Sequence, residues 1–107
     1  MARENGWNDP VHPGEILAQE LDFIALNAAT LAGVIGVPKN RLYEILKGER
    51  SVTADTAIRL GAFFGMSPKF WLNLQKSYEL AVAIQKIGKE AKSIKPYQRS
   101  LHETPPC

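Results

Sequence analysis

The sequence predicts an all-α fold of five helices, the last of them long. Three observations carry that prediction. Apolar residues recur at three-and-four spacing through most of the chain, and no stretch makes a convincing strand. Helix-start signals return at short intervals, at His12-Pro13, Asn27, Pro38, Thr53 and Ser67-Pro68. Gly36, Gly48 and Gly65 stand where the intervening helices must stop, and the connections are short.

The chain has 107 residues, enough for one domain around a single core. Hydrophobic residues make up 45% and charged residues 22%, a globular rather than a disordered composition. No apolar run approaches a membrane span, and no basic-then-apolar leader opens the sequence, so a cytoplasmic protein is expected. The single cysteine, Cys107, is the last residue. It cannot form an internal disulfide, and one thiol is a poor metal site. No metal, cofactor or catalytic residue is expected.

Net charge is +2, too small to announce a nucleic-acid partner, but its distribution is uneven. Residues 1–36 hold one basic and five acidic residues, a balance of −4. Residues 37–107 hold twelve basic and six acidic residues, a balance of +6. A basic half supplies the attraction to phosphates that dominates DNA affinity, although a solvated lysine face on the last helix accounts for part of the excess.

Residues 1–11 have no periodicity and read as a flexible arm, with Trp7 expected to dock on the domain. His12 should cap the first helix, with Pro13 at the first helical position and Glu15 at its positive end. A histidine beside a glutamate invites a metal or acid–base reading. No second ligand follows at helical spacing, so a structural cap is favoured. Ile16, Leu17 and Leu21 form the buried stripe, and Gln19, Glu20 and Asp22 face water. Phe23 to Leu26 is read as the connection, and Asn27 as the next N-cap.

The segment from Ala28 to Gly48 reads as two short helices joined by a tight turn. Ala32 is small enough to let the helices cross closely, Gly36 permits the left-handed turn, and Val37 plugs it. The second helix should run from Pro38, at its first helical position, to Lys47. Leu42, Ile45 and Leu46 share its apolar face. Lys39, Asn40, Arg41, Tyr43, Glu44 and Lys47 fall on the others, and an ordinary core hairpin does not explain that polar face. Such a helix suits the DNA major groove. Lys39, Asn40 and Tyr43 are assigned to base edges and Arg41 to base or phosphate. Glu44 is expected to orient a neighbouring Arg or Lys. Arg50, in the following loop, is placed at the DNA backbone, with a solvated charge as the alternative.

Thr53 is expected to cap a fourth helix whose buried face is Ala57, Leu60, Gly61 and Phe64, with Arg59 a surface charge. Ser67-Pro68 opens a last helix that can reach Ile94. Phe70, Trp71, Leu74, Tyr78 and Ala81 should pack on the domain. A second stripe, Leu80, Ile84, Ile87, Ala91 and Ile94, steps by four and three, which is coiled-coil spacing. Another chain is its expected cover, with folding back over the first helix as the alternative. One recognition helix reads too few base pairs to specify a genomic site, so a two-fold dimer on a palindromic operator of double-stranded DNA is expected. Leu80, Ile84 and Ile87 are the dimer or partner surface, with Phe70 and Trp71 if they are exposed. The organisation is an arm at 1–11, a DNA-binding domain with its helical extension at 12–95, and a disordered tail at 96–107.

Ala32, Gly36, Val37, Leu42 and Ile45 resemble the helix-turn-helix of the large repressor-like (Cro/C1-type) family. His12-Pro13-Gly14-Glu15 before it, and Thr53-Ala54-Asp55-Thr56-Ala57 and Ser67 to Gln75 after it, resemble the HigA branch, the antitoxins of HigBA modules. The resemblance spans about residues 11–85. It implies a lambda-repressor-like fold, repression of the protein's own operon, and a small HigB/RelE-like ribonuclease toxin as partner. A free-standing repressor-like regulator without a toxin is the alternative. Relatives usually carry glycine where Ala25 stands, and often a DNA-contacting glutamine where Ala28 stands.

Overall fold

Side-chain caps start three of the five helices, and a left-handed residue closes three of them. The computed structural model describes residues 9–98, which form five α-helices and no strand. They are α1 (Pro13–Ile24), α2 (Ala28–Ile35), α3 (Lys39–Leu46), α4 (Ala54–Phe64) and α5 (Pro68–Lys92). Trp7, most of the arm and residues 99–107 of the expected tail lie outside the described residues.

At the start of α1 the Gly14 N–H donates to His12 Nδ1 at 2.9 Å, and the His12 N–H donates to Glu15 Oε2 at 3.3 Å. This reciprocal pair satisfies two N–H groups that would otherwise lack partners. The His12 ring is buried and meets Tyr78 of α5 edge-on, with centroids 4.8 Å apart. Burial pushes its pKa below the ordinary histidine value, against smaller upward pulls from a hydrogen bond to the Arg50 backbone and from the Glu15 charge. The cap needs the neutral ring, because a protonated Nδ1 would confront the Gly14 N–H as a second donor.

α1 continues through Phe23 and Ile24, two residues further than the sequence suggests, and closes on Ala25 at φ 56°. Ala25 is the one non-glycine residue at positive φ among those described. Its Cβ crowds the backbone there, a strain of roughly 1 kcal/mol that a glycine would not carry.

Asn27 caps α2, its Oδ1 accepting from the Thr30 N–H at 2.8 Å. Gly36 turns the chain at φ 77°, and the Gly36 and Val37 N–H groups both donate to the Ala32 carbonyl. Pro38 is the N-cap of α3 rather than its first helical residue, because its ψ of 143° is still extended. Thr53 occupies the N-cap of α4, but its side chain makes no cap hydrogen bond. Ser67 Oγ accepts from the Lys69 N–H, with Pro68 next as expected, and α5 ends at Lys92, two residues before Ile94.

The core draws on all five helices: Leu17 and Leu21 from α1, Leu31, Ala32 and Ile35 from α2, Leu42 and Ile45 from α3, Ala57 and Leu60 from α4, and Trp71 from α5. Val37 and Val52 close it from the loops. Trp71 is 0% exposed and lies against Phe64 and Phe70. Its proposed place on a partner surface is therefore corrected: it is a core residue. Phe70, one residue earlier and about 100° around the helix, is 41% exposed and keeps that possibility. Leu80, Ile84 and Ile87 are 62%, 42% and 53% exposed, so folding back over α1 does not cover the second stripe.

Gln75 has a part that the sequence did not show. It is buried on α5, and its Oε1 accepts the Val52 N–H at 2.8 Å. Its Nε2 donates to Glu79 Oε2 at 3.0 Å and Ser51 Oγ at 3.3 Å. The loop that follows α3 is thus tied to the longest helix, which also packs against α1 and α4.

Candidate nucleic-acid interface

Leu42 and Ile45 are fully buried and hold α3 against the core. With those two facing inward, the 3.6-residue repeat turns Asn40, Tyr43 and Lys47 outward, with Lys39 and Glu44 on the flanks. Lys39, Asn40, Tyr43 and Lys47 are all exposed. Of the base-edge candidates, Asn40 and Tyr43 therefore lie on the outer face, and Lys39 stands exposed at its flank.

The two arginines differ. Arg41 is half-buried and turns toward α4, where its Nη1 donates to Asp55 Oδ2 at 2.8 Å. The same oxygen accepts from Arg59 Nε at 3.1 Å. Arg59 Nη1 in turn donates to the Ile35 carbonyl at 2.8 Å. Arg59, expected to be a surface charge, thus caps the C-terminus of α2 and links it through Asp55 to α3. A carbonyl at a helix end attracts a cation, and the guanidinium has donors enough for both partners. Hydrogen bonds first from Arg59 and then from Arg41 hold the Asp55 carboxyl below its ordinary pKa. The network spans α2, α3 and α4; only its Asp55–Arg59 link is local, and the other two join residues 14 and 24 apart.

Arg50 pairs with α3 itself. Its Nε donates to Glu44 Oε1 at 2.7 Å, so the neighbour expected for Glu44 is Arg50. Both side chains remain about half exposed.

No protein-family profile matches the chain. Individual relatives do. The chain is 35% identical over 96 residues to antitoxin HigA-1 of Vibrio cholerae, an alignment covering 89% of this chain and 90% of that protein. The chain belongs to the HigA antitoxin family. It is also 45% identical over 76 residues to virulence-associated protein I of Dichelobacter nodosus, 70% of each chain. Among solved structures, an addiction-module antidote of the HigA family from Coxiella burnetii superposes with a TM-score of 0.79 at 52% identity, covering 82% of this chain and 98% of that one. The Pseudomonas aeruginosa antitoxin HigA, solved with the higBA promoter, gives 0.80 at 40% identity, covering 84% and 100%.

Within this HigA-family fold α5 stands apart from the α3 face in its chemistry. Beyond Ala81 its apolar residues are open to solvent, while its last turn carries Lys89 and Lys92. Among the described residues no helix is long and apolar enough to cross a membrane.

Proposed function

We propose that this chain is a sequence-specific DNA-binding antitoxin. It represses its own operon as a two-fold dimer and neutralises a small HigB/RelE-like ribonuclease toxin in the cytoplasm. One observation carries the DNA half: a short helix pinned by Leu42 and Ile45 with Asn40 and Tyr43 open on its outer face and Lys39 exposed beside them. Lys can bond guanine O6 and N7, Asn can pair with adenine N6 and N7, and Tyr can reach phosphate or a thymine methyl. Solved HigA relatives of this fold on promoter DNA support the same reading. Arg41, turned toward α4 by Asp55, meets phosphate at the edge of the groove.

On the protein's own promoter, Lys39→Ala or Asn40→Ala should weaken binding by roughly 1–3 kcal/mol, and on random DNA by much less. Equal losses on both DNAs in a titration would show that these residues do not read bases.

The dimer is assigned to the exposed stripe of α5. Leu80, Ile84 and Ile87 repeat at knobs-into-holes spacing, with Phe70 at its near end. Binding a palindromic operator requires the two α3 helices of such a dimer to lie about 34 Å apart, one turn of DNA. Ile84→Asp combined with Ile87→Asp should give a monomer in sedimentation, and an unchanged dimer mass would move the interface elsewhere.

The toxin half rests on family membership. Isolation of the chain at native levels from the cells that encode it should bring down a small basic protein in near-equal amount, whose expression alone arrests growth. Recovery of the chain by itself, where neighbouring genes are expressed, would leave a repressor-like regulator without a toxin.

A further inference from the structure

We propose that Glu44 acts as a positioning residue for Arg50, holding its guanidinium on the outer face of α3 to read a guanine in the major groove. This rests on the DNA-binding reading above and adds a second reading group to it.

A loop arginine left to itself would meet phosphate or water. Arg50 is not left to itself. Its Nε donates to Glu44 Oε1 at 2.7 Å, the short distance of a charge-assisted hydrogen bond. Glu44 lies one helical turn beyond Asn40, so it stands beside the outer face of α3. The ion pair therefore draws the Arg50 head from the loop onto the surface that carries Asn40 and Tyr43. The bond engages Nε, leaving the end-on edge formed by Nη1 and Nη2 for another partner. Two adjacent N–H groups at that edge match O6 and N7 of guanine, the pairing that arginine makes best.

The backbone that carries Arg50 is anchored on both sides. Gly48 turns the chain at φ 80°, and the His12 ring lies against it. Gln75 holds Ser51 and Val52 on the other side. A reading group mounted on fixed backbone loses little freedom on binding. Fold stability does not explain the pair, since an ion pair as exposed as this contributes little. A carboxylate near DNA phosphates is unfavourable unless a cation offsets it, and Arg50 does so while gaining a fixed direction. Arg41 contrasts with it: its Nη1 is taken by Asp55, which ties it to α4.

The test starts from duplexes selected out of a randomised DNA library by the full-length chain. Binding is then measured for the wild type, Glu44→Gln, Arg50→Ala, Arg50→Lys and Asn40→Ala, on the selected duplex and on versions with each G·C pair changed to A·T. Glu44→Gln and both Arg50 variants should lose about tenfold or more of the discrimination at the same G·C pair in each half-site. They should keep the discrimination that Asn40→Ala removes, with thermal midpoints near that of the wild type. The proposal is overturned if the Arg50 variants weaken all duplexes alike and lower the salt slope by about one, the mark of a phosphate contact. It is equally overturned if Glu44→Gln tightens every duplex with base preference unchanged. A wild-type chain that selects no sequence would defeat the DNA-binding reading itself, a separate result.

Discussion

Replacing Gly14 by alanine is expected to destabilise the protein by roughly 3 kcal/mol, although alanine is by far the better helix former. Gly14 is the second residue of α1, and a Cβ there would run into the Ile45 carbonyl oxygen. The next atoms it would meet are the Ile45 carbonyl carbon at 2.8 Å and Leu46 Cα at 3.1 Å. All three belong to the backbone of α3, so no rotamer change can relieve the clash, and α1 or the last turn of α3 must move. In urea unfolding the midpoint should fall with the slope unchanged. Gly33→Ala is the control. Gly33 lies inside α2 with nothing within 4 Å of its Cβ position, and there alanine should raise stability by about 0.5–1 kcal/mol. If the two substitutions behave alike, the close approach of α1 to α3 does not exist in solution. Because the displaced turn carries Glu44 and leads into Arg50, Gly14→Ala should also weaken specific DNA binding in whatever fraction stays folded.

Trp71→Ala should remove about 3–5 kcal/mol, a large part of the 5–15 kcal/mol that holds a domain of this size together. The side chain is fully buried between the Phe64 and Phe70 rings. Truncation there leaves a cavity that the surrounding helix backbones cannot fill. The thermal midpoint should drop by more than about 10 °C. Trp71→Phe should cost much less. The indole Nε1 is buried without a hydrogen-bond partner, so phenylalanine forfeits volume but no bond. The association state separates this core role from an interface role. Folded Trp71→Phe protein should sediment with the wild-type mass, whereas a shift to monomer would return Trp71 to the partner surface.

Much of the fold was legible because helix ends are local events. His12 with Glu15, Asn27 with Thr30, and Ser67 with Lys69 each lie within three residues, so their bonding could be read from residue type and offset. The left-handed turns at Gly36 and Gly65 could be read in the same way. The inward face of α3 followed from Leu42 and Ile45 at helical spacing, and the outer face from what remained. Ala25 was legible only as a question. A left-handed alanine is disfavoured locally, and it persists because the helices on either side require the turn.

The rest depended on contacts between distant segments. Phe70 and Trp71 are adjacent and both apolar, and neither their type nor their spacing says which enters the core; the seating of α5 on α4 decides it. Arg59 looks like any helical surface charge until α2 brings the Ile35 carbonyl to 2.8 Å from it. Gln75 looks solvent-facing until the loop beyond α3 delivers the Val52 N–H. By itself the sequence determined five helices, the caps of α1, α2 and α5 and the polar outer face of α3, because short-range sterics and hydrogen bonding act within a turn or two. Only the tertiary structure decided which charges stay on the open face of α3 and which bind the domain together. Arg41 and Arg50 carry the same group, and their directions are set by Asp55 and Glu44, carboxylates that packing alone brings within reach.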